Sequence, residues 1–335
     1  MPSDSPSQSL NLNLGLSLPK VVKAQLARLG CRLDETTLIQ VLSRGLSNQN
    51  YHLSNASNQL VLRVNSRASS QISARDHEVA NWRLAQGQGL APDLLYVTPD
   101  NGFYLSRFID TEEDWSRLMT ANPAYPLQAE SNTRPDAEVL LLELLRGLSR
   151  LPVPENPISV SEQWRRYLYR LASIADGGDM PAPYRDQWQQ RWLALKGHQA
   201  RVDDCLAELN ACELAPQYSH RDLNPHNLLM SQGRLWCIDY EYACSSHPLV
   251  DLASVLATHR LSTQQRHKLI LGYLEGHPKL NHQAQAAIPA ALALYWYFAA
   301  CWALLMASQG GADASLPHRV SDYLQCFDDS MVLIA

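Results

Sequence analysis

The sequence predicts an α+β chain, with strands gathered in its N-terminal third and in one later hairpin, and helices filling most of the rest. Three observations carry this. Residues 41–53 read as strand, turn, strand, and residues 59–64 add a further apolar strand. Apolar residues recur at helical spacing from residue 136 onward. At 335 residues the chain is also long enough for two lobes with a shared cleft.

Taken in order, residues 1–19 are rich in Ser, Asn and Leu, lack the basic start and apolar block of a signal peptide, and read as a loosely ordered extension. A β-rich N-lobe is expected over 20–109, with a turn at Gly45, a third strand carrying Arg63 and a helix over 73–85 carrying Glu78. The C-lobe is expected over 110–335. Its first stretch, 110–135, holds Asp110, Glu112, Glu113 and Asp114 and reads as an insertion or a surface loop. Asp136 then starts a helix with Leu140, Leu141, Leu144, Leu145 and Leu148 on one stripe, ending before Leu151-Pro152-Val153-Pro154. Two more helical stretches, 161–175 and 185–212, flank the Gly177-Gly178 turn. Residues 228–230 and 235–238 form a hairpin about the turn 231–233, and 262–330 are mostly helical.

Composition narrows the function classes. Lys and Arg number 28 against 33 Asp and Glu, a formal charge of −5, so there is no basic excess with which to bind nucleic acid. The 7 cysteines are scattered without a C-x-x-C pair and read as reduced thiols in a cytoplasmic protein. Residues 290–307 are unbroken by charge and approach membrane-helix length. Their aromatics, Tyr295, Trp296, Tyr297, Phe298 and Trp302, lie mid-segment rather than at its ends, which fits a buried helix and no membrane partner.

The chemistry is concentrated in His220-Arg221-Asp222-Leu223-Asn224-Pro225-His226-Asn227, followed twelve residues on (239 − 227) by Ile238-Asp239-Tyr240-Glu241. In phosphoryl transfer a protein contributes mainly metal ions, positive charge and an oriented nucleophile. Asp222 would orient an acceptor hydroxyl and take its proton, while Asn227 and Asp239 would hold Mg²⁺ against nucleotide phosphates. A zinc site at His220 and His226 has neither the spacing nor the thiol neighbours.

The pattern H-x-D-x-x-x-x-N, the run Ile238-Asp239-Tyr240-Glu241-Tyr242-Ala243 and the segment Pro248-Leu249-Val250-Asp251-Leu252-Ala253 resemble the aminoglycoside phosphotransferase and choline kinase superfamily, in a form most like its thiamine and choline kinase branch. The resemblance covers roughly residues 40 to 305 and implies a bilobal protein-kinase-like fold using ATP and Mg²⁺. It implies that the turn at Gly45, with Ser47 and Asn48, covers the phosphates, that Arg63 grips them and that Glu78 fixes Arg63. The turn has one glycine where protein kinases have three, and the cation is Arg where many have Lys. Ser106 and Phe108 belong to the hinge that would pair with adenine. Asp251 would cap a helix and brace the catalytic loop, with His220 as structural support.

For the acceptor, the resemblance implies a small alcohol. Trp296, Tyr297 and Trp302 either offer rings to a cationic acceptor such as thiamine or choline, or fill the core. Glu241 faces the substrate or a second metal, or forms a salt bridge in the C-lobe. An aminoglycoside or amino-sugar acceptor would call for an acidic floor, whereas no Asp or Glu occurs between Asp251 and Glu275. A nucleotide-binding pseudokinase would have no need of Asp222.

Overall fold

The computed structural model describes residues 18–31, 37–44, 48–65, 75–120, 134–177, 182–309 and 318–334. Residues 1–17 of the expected extension, Gly45 and Ser47 of the turn, and residues 121–133 of the 110–135 insertion lie outside these residues. The chain divides into two compact units. The first comprises residues up to Asp114 together with Leu229–Ala243, and the second comprises Trp115–Leu228 with Cys244–Ala335. The stretch 229–243, which carries Asp239, thus groups with the strands of the N-terminal third.

In the first unit β1 (Leu38–Arg44), β2 (Asn48–Ser54), β3 (Gln59–Asn65), β4 (Leu94–Val97) and β5 (Phe103–Arg107) form an antiparallel sheet in the order β1-β2-β3-β5-β4. Side chains alternate along a strand, so each strand offers two faces. Leu60 and Leu62 of β3, with Ile39, Leu53 and Leu105, pack on Val22 and Leu26 of helix α1 (Lys20–Arg28). Arg63 goes to the other face, opposite Asn50 of β2 and Tyr104 of β5. Helix α2 (Arg75–Gln86) serves that face, with Trp82 set edge-on to Tyr104 at 6.2 Å.

The same helix holds the returning segment of chain. Trp82 stacks on Tyr240 at 5.9 Å, and Asn81 Nδ2 donates to the Ala243 carbonyl at 2.6 Å. The hairpin leading in, β7 (Leu228–Ser231) and β8 (Arg234–Cys237), is tied down by Cys237 N–H donating to Leu90 O at 2.8 Å. Its turn places Gln232 at φ 54 and Gly233 at φ 70. Two consecutive positive φ values define the turn whose twist matches a two-residue hairpin.

In the second unit, α3 (Trp115–Met119), α4 (Ala137–Ser149), α5 (Val160–Gly177), α6 (Arg185–Gly197) and α7 (Gln199–Cys212) precede a short strand pair. That pair is β6 (Gln217–Ser219) with β9 (Cys244–Ser246). Helices α8 (Leu249–Thr258), α9 (Thr263–Leu274), α10 (Ile288–Gln309) and α11 (His318–Val332) complete it. The stretch 185–212, read from sequence as one helix, is two. It breaks at His198, whose Nδ1 lies 2.9 Å from the Tyr297 hydroxyl, so a tertiary contact overrides local propensity. Helix α10 is long and apolar enough to cross a membrane by composition alone. It is apolar all round, with Ala291, Leu294, Tyr297, Cys301 and Leu304 buried, as befits the core helix of a large helical unit.

Gly233→Ala isolates the backbone requirement of the hairpin, since a Cβ there meets no atom within 4 Å. Denaturant unfolding should show a loss of about 1 kcal/mol, with Gly233→Asn losing less because Asn tolerates the left-handed region. Equal stability of all three proteins would mean that the turn is not left-handed.

Candidate active site

In the first unit the site begins at Arg63, which has four neighbours of note. Its Nη1 lies 3.0 Å from Glu78 Oε1 and 3.2 Å from Asp239 Oδ1, and its Nε donates to Asn65 Oδ1 at 2.9 Å. The guanidinium also sits 5.6 Å from the Tyr104 ring centre. Its Nη2 is buried without a hydrogen-bond partner. An unsatisfied charged N–H in the interior is costly, and a phosphate oxygen is the acceptor that guanidinium geometry suits. Burial alone would lower the Arg63 pKa, but Asp239, Glu78 and Glu241 raise it above the ordinary value.

Glu78 has no exposed side-chain surface and is shared. While Oε1 faces Arg63, Oε2 takes Arg75 Nη1 at 2.5 Å. The second arm of Arg75 donates to Asn48 Oδ1 at 3.2 Å, and Glu241 lies 3.8 Å from Arg75. Glu241 is therefore part of this charged network in the first unit. Burial and then the charge of Asp239 push its pKa up to about 7, against the pull of Arg63 and Arg75. The sequence reading did not single out Arg75, because a charge at the start of a helix reads as solvated surface. Its i,i+3 spacing from Glu78 was the available signal.

Ser106 and Phe108, expected from sequence at the hinge, lie toward the Arg63 face of the sheet. Ser106 is buried opposite Val61, which in turn pairs with His52. The Phe108 ring stacks on His52 at 3.7 Å between centroids. The Phe108 N–H donates to Gln59 O at 3.2 Å and is thus committed within the sheet.

In the second unit the loop after β6 is organised by Asp251. Its carboxylate accepts from Ser219 Oγ at 2.8 Å, His220 N–H at 3.0 Å and Arg221 N–H at 2.8 Å. The brace implied by the resemblance is present, but the cap is not. Asp251 lies in the first turn of α8, and Pro248 occupies the N-cap position without a side-chain bond. His220 is buried completely, as suits structural support. Arg221 adopts φ 68, which turns the chain sharply before Asp222.

Two carboxamides then hold the Asp222 carboxylate. Asn224 Nδ2 donates to Oδ1 at 2.8 Å, and Asn227 Nδ2 donates to Oδ2 at 2.8 Å and to the Asp222 carbonyl at 3.0 Å. With its N–H groups spent there, Asn227 has its Oδ1 left as a neutral hard oxygen. Asn224 was missed from sequence, although its side chain also accepts from His226 N–H at 2.9 Å in an Asx turn.

The three aromatics singled out on α10 point to different sides. Tyr297 is fully buried between Trp164 and His198, and Trp302 packs edge-on to Tyr323 of α11 at 5.7 Å. Trp296 is partly exposed and meets Tyr295 edge-on at 5.0 Å. Tyr295 is the ring whose hydroxyl feels Asp222, its pKa being raised by burial and then by that charge.

Asn227 Oδ1 in the second unit and the Asp239 carboxylate in the first are each hard oxygens of the kind that Mg²⁺ takes. Among the described residues no three His, Cys, Asp or Glu side chains group to cage a metal.

An antiparallel sheet with its helix in one unit, and a helical second unit interrupted by the 219–227 loop, define the class of kinase-like phosphotransferases. The model of the phosphotransferase enzyme family (APH) matches residues 38–282, and the chain belongs to that family. The LicA protein of Haemophilus influenzae is 24% identical over 233 residues, which are 68% of this chain and 60% of the relative. The chain thus spans under two thirds of that relative's length. Among solved structures, choline kinase LicA from Streptococcus pneumoniae superposes with a TM-score of 0.63 at 17% identity, over 93% of this chain and 98% of that one. The streptomycin–ATP–APH(2'')-IIa ternary complex gives 0.59 at 16% identity, over 92% and 97%. At such identities these likenesses are of fold.

The Glu241 pKa yields a stability prediction for the metal-free protein. A carboxyl raised to about 7 from an ordinary 4.5 costs nothing while protonated in both folded and unfolded chains, and costs progressively more as pH climbs between those values. Glu241→Gln should therefore match wild type near pH 4.5 and exceed it at pH 8 by on the order of 1–3 kcal/mol. A difference that stays constant with pH would show that Glu241 titrates normally.

Proposed function

We propose that the protein transfers the γ-phosphoryl group of ATP to the hydroxyl of a small alcohol. The observation that carries this is the Asp222–Asn227 pair. One side chain presents a held carboxylate base, and the other spends its donors on that carboxylate and keeps an oxygen for a cation. Asp222 takes the hydroxyl proton as the acceptor oxygen bonds to the γ-phosphorus and the bond to the bridging oxygen of ADP breaks. Arg63, fixed by Glu78 and Asn65, receives phosphate oxygens on its unpartnered Nη2. His52, Phe108 and Ser106 line the base end of the same sheet face. Asn227 and Asp239 would hold Mg²⁺, which when bound neutralises phosphate charge. Glu241 tunes the charge around Asp239.

For the acceptor we favour a cationic amino alcohol of the choline type. The support is twofold: a fold shared with a choline kinase, and the Tyr295–Trp296 ring pair on the helix that reaches toward Asp222. A desolvated cation gains roughly 0.5–2 kcal/mol per aromatic face. Thiamine, the other cation that the resemblance implies, draws no support from a fold shared with a choline kinase. An aminoglycoside remains the second reading, motivated by the shared fold with APH(2'')-IIa and opposed by the missing acids between Asp251 and Glu275.

The test is ADP release by purified protein across choline, ethanolamine, thiamine, homoserine, methylthioribose and kanamycin, with Asp222→Asn alongside. One of the first two should be the best substrate. Asp222→Asn should lose about 10²–10⁴ in rate with nucleotide binding retained, because the base goes and the metal donors stay. Wild-type rates in Asp222→Asn, or no turnover of any alcohol, would overturn the assignment.

A further inference from the structure

We propose that Arg75 is a positioning residue for the nucleotide, setting both Asn48 at the start of β2 and the Glu78–Arg63 pair. The inference rests on the phosphotransferase reading above. Arg75 is 6% exposed and uses two arms on two elements. Nη1 meets Glu78 one helical turn along α2, and Nη2 donates to Asn48 Oδ1 on the strand that follows residues 45–47.

A carboxamide has two ends of similar shape and opposite polarity. Arg75 removes that ambiguity at Asn48. Its guanidinium takes Oδ1, and of the two ends Nδ2 is the one from which an anionic phosphate accepts.

The charge balance points the same way. Three carboxylates, Glu78, Asp239 and Glu241, stand against two guanidiniums, Arg63 and Arg75. Arg75 satisfies Glu78 Oε2 and lies near Glu241. Without it Arg63 would be the sole cation of the group and would be drawn further onto the carboxylates. The arm of Arg63 that now lacks a partner would then be less available to phosphate.

The experiment is equilibrium binding of MgATP by calorimetry to wild type, Arg75→Met, Arg75→Lys, Asn48→Ala and the Arg75→Met/Asn48→Ala double variant. Arg75→Met should weaken MgATP about tenfold, with Arg75→Lys intermediate, because one ammonium restores charge at Glu78 but not the second arm. The double variant should bind about as weakly as Arg75→Met alone, because the two residues act as one unit. Asn48→Asp, which keeps an oxygen toward Arg75 and removes the donor end, should bind MgATP more weakly than Asn48→Ala, and it carries the test should Arg75→Met fail to fold. A lower melting temperature with unchanged MgATP affinity in Arg75→Met would overturn the proposal, as would strictly additive losses or Asn48→Asp binding as well as Asn48→Ala. Wild-type protein that binds no MgATP would overturn the phosphotransferase reading itself, whereas normal wild-type binding with an indifferent Arg75→Met removes the role of Arg75 alone.

Discussion

A carboxylate with no exposed surface sets the terms for the first unit. Glu78 cannot be buried as an anion unless cations are held against it, and breaking such a buried pair costs about 3–5 kcal/mol. This demand brings β3, through Arg63, against α2 and fixes which way the arginine points. The guanidinium then touches Asp239, whose chain segment is pinned by Trp82 and Asn81 of the same helix. Helix, strand and returning loop are thus registered against one another by a single ionised side chain.

Asp251 plays the matching part in the second unit by opposite means. It gathers donors instead of cations: one hydroxyl and two consecutive backbone N–H groups. Charge-assisted bonds of this kind are roughly twice as strong as neutral ones. The loop is shaped before any substrate arrives, and the two carboxamides on Asp222 finish the arrangement. Preorganisation of this sort lets a charged site act without reordering itself during reaction.

What could be read from sequence was what chemistry places close along the chain. Asp222, Asn227 and their loop are contiguous, so spacing alone displayed them, whereas Arg63 on an apolar run and Glu78 on the next helix were singled out only through the order that the resemblance implies. The rings of α10 were not legible in the same way. A helix apolar on every side has no face that periodicity can mark, and only packing sends Tyr297 to Trp164 and His198 while Trp302 meets Tyr323. The break at His198 escaped for a similar reason, since a contact 99 residues away stands beside it. Membership of 229–243 in the first unit is likewise tertiary, made by bonds to Leu90 and to α2.

Arg221 and Asp239 both carry a side chain in backbone territory that glycine occupies at no steric cost, with φ 68 and φ 67. Each holds on the order of 1 kcal/mol of conformational strain. The two positions will part company under selection for heat resistance. At Arg221 a glycine or asparagine relaxes the backbone and keeps the N–H that Asp251 accepts, and loses only the Nη1 contact with Cys244 Sγ at 3.3 Å. At Asp239 the same relaxation removes the carboxylate opposite Arg63. A library screened only for survival on heating would therefore treat them differently, since any relief at Asp239 is set against the lost ion pair with Arg63 at 3.2 Å.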